Sequence, residues 1–115
     1  MSDYERTKID VLKRAVTVKS NACLVEIYGN NLGKRYELSG RSITIGREDT
    51  NTIIVDMDTV SRCHARLNLK GENVTCEDLQ STNGTFVNDH EVFEPMPLRS
   101  GDLIKIGGAV FKYIS

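Results

Sequence analysis

From Ala22 onward the chain alternates apolar and polar positions with a period of two. Cys23, Val25 and Ile27 interleave with Leu24, Glu26 and Tyr28, and that period belongs to a strand whose successive side chains face opposite ways. Asn30-Asn31-Leu32-Gly33 then supplies turn chemistry before Lys34 to Leu38, which predicts a hairpin. Ile43 and Ile45 alternate with Ser42 and Thr44 up to Gly46. Ala65, Leu67 and Leu69 alternate with His64, Arg66, Asn68 and Lys70. Gly71-Glu72-Asn73 breaks that run, and Val74 and Cys76 resume it as a returning strand. Two more hairpins are predicted around Asn88-Asp89, residue types that tolerate positive φ, and around Gly107-Gly108. Many short strands with no long helical segment between them indicate an antiparallel sandwich or barrel. The first 20 residues differ: Ile9, Leu12 and Val16 fall at helical spacing within a polar stretch. The organisation expected is a tail or short helix over 1–20 and one domain over 21–115.

Composition narrows the class. The chain has 115 residues, 39% of them apolar, with 15 Lys plus Arg against 16 Asp plus Glu. That is one domain with enough apolar mass for a core. The net charge of −1 argues against non-specific nucleic-acid binding and against a polybasic membrane anchor. No apolar run approaches the ~20 residues of a membrane helix, and no signal peptide opens the chain, so a soluble cytoplasmic protein is expected. Cys23, Cys63 and Cys76 are odd in number and widely spaced, which points to reduced thiols rather than a disulfide framework. With no CxxC pair and with His64 and His90 far apart, no metal site and no cofactor are expected.

The candidate chemistry lies in three segments between strands. Gly46-Arg47-Glu48 follows one alternating run, Ser61-Arg62-Cys63-His64 precedes the next, and Ser81-Thr82-Asn83-Gly84-Thr85 precedes Phe86. Together they offer a guanidinium, hydroxyls, an amide side chain and backbone N–H groups, an inventory that suits a phosphate ester. Singly, each also reads as ordinary turn chemistry. A hydrolytic reading of Ser61, His64 and Asp78 lacks any sign of an oxyanion hole or a nucleophile elbow. The Ser-Thr-Asn-Gly-Thr segment has no P-loop lysine.

Order and spacing add a further reading. Gly46-Arg47, then Val60-Ser61-Arg62-Cys63-His64, then Asp78 through Asn88, then Leu98 through Gly107 resemble the forkhead-associated (FHA) domain from about Cys23 to Ile114. The resemblance implies an all-β, eleven-stranded antiparallel β-sandwich that recognises phosphothreonine through loops at one end. Carried over position by position, it implies that Arg47, Ser61, Arg62, Thr82 and Asn83 bind the phosphothreonine segment. Gly46, His64, Gly84, Thr85 and Asn88 match positions that build the loops.

The function expected is a non-catalytic, phosphothreonine-dependent interaction module. Its partner would be a threonine-phosphorylated protein or the chain's own phosphorylated tail, with Thr7 as the internal candidate, and not nucleic acid or membrane. Acidic Asp56 and Asp58 suggest a basic residue downstream of the phosphothreonine. The alternative is a phosphate-independent interaction or oligomerisation domain on the same fold. The charged leader before Leu24-Val25-Glu26-Ile27-Tyr28-Gly29 also looks similar to bacterial multidomain signalling proteins, which suggests an amino-terminal regulatory domain.

Overall fold

The computed structural model describes residues 22–115, so the leader, its predicted short helix and Thr7 lie outside the described residues. Eleven strands follow in chain order: β1 Cys23–Tyr28, β2 Arg35–Glu37, β3 Ser42–Gly46, β4 Ile53–Ile54, β5 Ala65–Lys70, β6 Asn73–Asp78, β7 Thr85–Val87, β8 His90–Glu91, β9 Met96–Pro97, β10 Leu103–Ile106 and β11 Ala109–Ile114. They form a six-stranded sheet in the order β2-β1-β11-β10-β7-β8 and a five-stranded sheet in the order β4-β3-β5-β6-β9. All pairings are antiparallel except that of β4 with β3, which is parallel.

The alternation in the sequence decides which side chains fill the space between the sheets. Leu24, Val87, Ile104, Ile106, Phe111 and Tyr113 face in from the larger sheet, and Ile43, Ile45, Ala65, Leu67, Val74 and Cys76 from the smaller one. Val60, from the segment joining β4 to β5, joins this core and is 1% exposed. Tyr36 of β2 meets Phe111 edge to face with ring centroids 6.0 Å apart, a preferred aromatic geometry. Burial, and then the Asp78 and Glu77 charges, pushes the Cys76 thiol up to about 12, so it is a packed apolar group rather than a reactive one. All three cysteines are free thiols.

Turn chemistry behaves as the residue types require. Asn88 and Asp89 both take positive φ, 49° and 67°, in the β7–β8 turn. Gly107 does so at 56° in the β10–β11 turn. Glu26 is buried inside β1, where its carboxylate accepts the Asn31 backbone N–H and so ties down the β1–β2 loop. No helix of the described residues is long and apolar enough to cross a membrane.

Candidate functional site

Register places one set of loops together. Ile45 of β3 lies opposite Ala65 of β5, which lies opposite Asp78 of β6. In the other sheet Ile106 of β10 lies opposite Thr85 of β7 and Ala109 of β11. The β3–β4, β4–β5 and β6–β7 loops and the β10–β11 turn therefore emerge at the same end of the sandwich.

Backbone and side-chain hydrogen bonds lock these loops to one another. The Arg47 N–H donates to the Ser61 carbonyl at 3.0 Å and the Glu48 N–H to the Arg62 carbonyl at 3.2 Å. Gly46 sits beneath that junction. A Cβ there would lie 2.3 Å from the Arg62 carbonyl oxygen and 2.7 Å from Asn51 Nδ2, so no larger residue fits without moving backbone. Asn51, only 7% exposed, donates through Nδ2 to both the Glu48 and Arg62 carbonyls.

His64 is the central brace and is fully buried. Its Nδ1 accepts the Ser61 N–H at 3.0 Å, and its Nε2 lies 2.8 Å from the Gly84 carbonyl. A neutral imidazole with its proton on Nε2 satisfies both contacts. One ring thereby joins the Ser61 loop to the Asn83 loop, and Ser61 Oγ reinforces the link by accepting the Thr82 N–H at 2.9 Å.

Asp78 organises the β6–β7 loop from inside. Its carboxylate accepts the Ser81 hydroxyl at 2.5 Å, the Ser81 N–H at 3.0 Å and the hydroxyl of fully buried Thr85 at 2.7 Å. Burial pushes this carboxyl up, but the hydrogen bonds from Ser81 and Thr85 outweigh it, and the group titrates below its ordinary value. Gly84 takes a φ of 83° in the same loop and donates its N–H to Ser81 Oγ.

The donors that remain define what the site can hold. The Arg47 Nε–H is spent on the Val60 carbonyl at 3.1 Å, which fixes the guanidinium and leaves its two terminal nitrogens for a two-point contact with an anion. Ser61 Oγ accepts from Thr82, so its own proton is available to donate. Asn83 Nδ2 donates to the Thr59 carbonyl at 2.9 Å, leaving Oδ1 to accept from a backbone amide. Arg62 is exposed and only loosely paired with Glu48, at 3.9 Å. Thr82 is also exposed, on the same loop as Asn83. Among the described residues no cluster of His, Cys, Asp and Glu is arranged to hold a metal.

The structure thus brings Arg47, Ser61, Arg62, Thr82 and Asn83 together, with Gly46, His64, Gly84 and Thr85 as their supports. Asn88 stands apart from them. It accepts the Leu103 N–H and donates to Asp102, pinning the β7–β8 hairpin to the start of β10 at the far end of β7. Asp56 and Asp58 are exposed, and neither lines the groove of Thr59, Asn83 and Gly107 or that of Ser81, Thr82 and Asn83. Sequence reading missed Asn51, Thr59 and the bracing role of Asp78. Asn51 lies in Asp49-Thr50-Asn51-Thr52, which reads as plain turn chemistry, and nothing local marks Thr59, whose Oγ1 accepts the Gly108 N–H at 2.8 Å.

Comparison with known proteins agrees with this architecture. The FHA domain family model matches residues 43–107. The FHA domain-containing protein FhaB of Mycobacterium tuberculosis is 37% identical over 84 residues, covering 73% of this chain and 54% of that protein. The chain thus spans about half the length of the curated relatives it matches. An FHA domain studied for phosphothreonine-dependent interactions superposes with a TM-score of 0.75 at 30% identity, over 82% of this chain and 95% of that one. EmbR of Mycobacterium tuberculosis, solved with a low-affinity phosphopeptide, superposes with a TM-score of 0.76 at 28% identity, over 95% of this chain and 30% of that one. The chain belongs to the FHA domain family.

Proposed function

We propose that this chain is a non-catalytic module that docks threonine-phosphorylated segments of partner proteins on its three linked loops. The observation that carries the reading is the His64 brace. It holds Ser61 and Gly84 in one arrangement, while the Arg47 terminal nitrogens, the Ser61 hydroxyl and Asn83 Oδ1 keep hydrogen-bonding capacity to spare. Arg47 takes two phosphate oxygens, and Ser61 and the Arg62 backbone N–H take the phosphate from the adjoining loop. Thr82 contacts the phosphothreonine, and Asn83 fixes the peptide main chain. A preformed set of donors around a dianion needs little rearrangement on binding, which favours affinity. The related structures solved with a phosphopeptide, or studied for phosphothreonine-dependent interactions, support the same reading.

The module works in the cytoplasm as a regulatory domain of a bacterial signalling protein, where its thiols stay reduced and threonine kinases supply its ligand. That ligand is a segment of another protein or the Thr7 segment of this chain. Arg47→Ala tests the site. Against a degenerate phosphothreonine peptide library, the variant loses at least about tenfold in affinity, because a charged hydrogen bond is worth ~1.5–3 kcal/mol. Its circular dichroism stays that of the wild type. Wild-type affinity in a folded Arg47→Ala protein would remove Arg47 from the site.

A further inference from the structure

Thr59 and the Gly107-Gly108 turn have no part in the phosphate contacts described above, yet they are built into each other. Gly107 takes a φ of 56°, and a Cβ on it would lie 2.7 Å from the Thr59 carbonyl oxygen and 2.8 Å from Thr59 Oγ1. Gly108 takes no positive φ, so the turn itself does not demand glycine there. Its demand comes from across the gap. A Cβ on Gly108 would lie 2.9 Å from Met57 Cε and 3.3 Å from Thr59 Oγ1. Two successive glycines thus let the β10–β11 turn close on the β4–β5 segment, where the Gly108 N–H donates to Thr59 Oγ1 at 2.8 Å.

Thr59 and Val60 set two consecutive carbonyls against two side chains of the site. The Val60 carbonyl accepts the Arg47 Nε–H at 3.1 Å, and the Thr59 carbonyl accepts from Asn83 Nδ2 at 2.9 Å. Val60 is anchored in the core at 1% exposure, and its N–H donates to the Met57 carbonyl at 3.0 Å. Thr59 is exposed and lacks that anchor, so its bond to the β10–β11 turn supplies one. The orientation of Asn83 depends on it. A primary amide presents donors on one side and an acceptor on the other, and the torsion that exchanges them is soft. A carbonyl only accepts, so Thr59 selects the orientation in which Nδ2 faces it and Oδ1 is left for a ligand amide.

Resting on the phosphothreonine reading above, we propose that Thr59 is a positioning residue, buttressed through its hydroxyl by the β10–β11 turn, that holds the Asn83 amide with Oδ1 toward the peptide main chain. It acts through Asn83 and not on the phosphate. Loss of the hydroxyl unseats the Thr59 carbonyl from the turn and lets the Asn83 amide rotate. The Arg47 and Ser61 contacts survive that loss, because Val60 and His64 hold them.

The test compares Thr59→Val, which removes the hydroxyl at nearly constant shape, with Thr59→Ser, which restores it. The probe is a phosphothreonine peptide selected from a degenerate library, with a companion set in which one backbone amide at a time becomes an ester and loses its N–H. In the wild type one such ester costs roughly fivefold in affinity, the size of one neutral hydrogen bond, and in Asn83→Ala the same ester costs nothing further. That result identifies the amide read by Oδ1. Thr59→Val binds the unmodified peptide roughly threefold more weakly than the wild type, and the same ester then costs it less than about twofold. Thr59→Ser keeps both the affinity and the ester penalty. In the free proteins, the Asn83 side-chain amide protons exchange with water faster in Thr59→Val than in the wild type or Thr59→Ser. The proposal is overturned if no ester costs the wild type anything, if the full penalty survives in Thr59→Val, or if Thr59→Ser behaves as Thr59→Val. Equal exchange of the Asn83 side-chain protons in wild type and Thr59→Val overturns it without any ligand. Phosphate-dependent binding with an undiminished penalty in Thr59→Val sinks the positioning role alone. A wild type indifferent to phosphorylation sinks the phosphothreonine reading, and this proposal with it.

Discussion

His64 shows how one side chain converts turn chemistry into a site. The imidazole reaches across the chain to the Asn83 loop, since His64 and its Gly84 partner are 20 residues apart. Besides the ring, the Thr82 to Ser61 and Asn83 to Thr59 hydrogen bonds tie the two loops together. Removing the imidazole leaves the part-buried Ser61 amide and Gly84 carbonyl without these partners, at a cost of about 1–3 kcal/mol. His64→Ala is therefore expected to melt several degrees below the wild type and to bind phosphopeptide more weakly, because Ser61 loses its fixed position. An unchanged melting temperature with complete loss of binding would instead make His64 a direct ligand contact. This role was legible from the sequence through the order of the motif, whereas Asn51 was not. An asparagine in a polar loop looks alike whether it faces solvent or, as here, is buried and joins the carbonyls of two loops.

Among the elements, strands with several alternating positions were readable and the shortest were not. β5 and β6 show their core faces as Ala65-Leu67 and Val74-Cys76, but β4 and β9 have two residues each, too few to show a period. Nothing in Ile53-Ile54 announces that it pairs in parallel with β3, because that pairing is set by where the β3–β4 loop returns. The β6–β7 loop depends likewise on a partner outside it, the Asp78 carboxylate. That group's folded value is depressed, so its contribution is fully present at neutral pH and fades as pH falls through that value, below the ordinary carboxylate range. Asp78→Asn is expected to cost about 1 kcal/mol or more at pH 7 through the weakened Ser81 and Thr85 bonds. The gap between variant and wild type should narrow in thermal melts near pH ~3. A gap that stays constant between the two pH values would show that the carboxylate charge does not brace the loop.

At the scale of the whole molecule, the sandwich gives its two sheets different jobs at one end. The smaller sheet delivers Arg47 and Ser61, the crossover from β6 to β7 delivers Thr82 and Asn83, and the larger sheet backs Thr59 with the β10–β11 turn. The alternation in the sequence predicted a sandwich or barrel, but the meeting of these loops follows from strand order, which no local period encodes. The central claim is that phosphate is read at the loop end and nowhere else. It is tested most directly by recording backbone amide chemical shifts of the wild type during titration with a phosphothreonine peptide library and with the same library after phosphatase treatment. The account predicts that the phosphorylated library shifts the amides of Arg47, Ser61, Arg62, Thr82 and Asn83, that the smaller sheet's strands stay still, and that the dephosphorylated library shifts none of those five. Equal shifts from both libraries, or phosphate-dependent shifts confined to residues away from these loops, would contradict it.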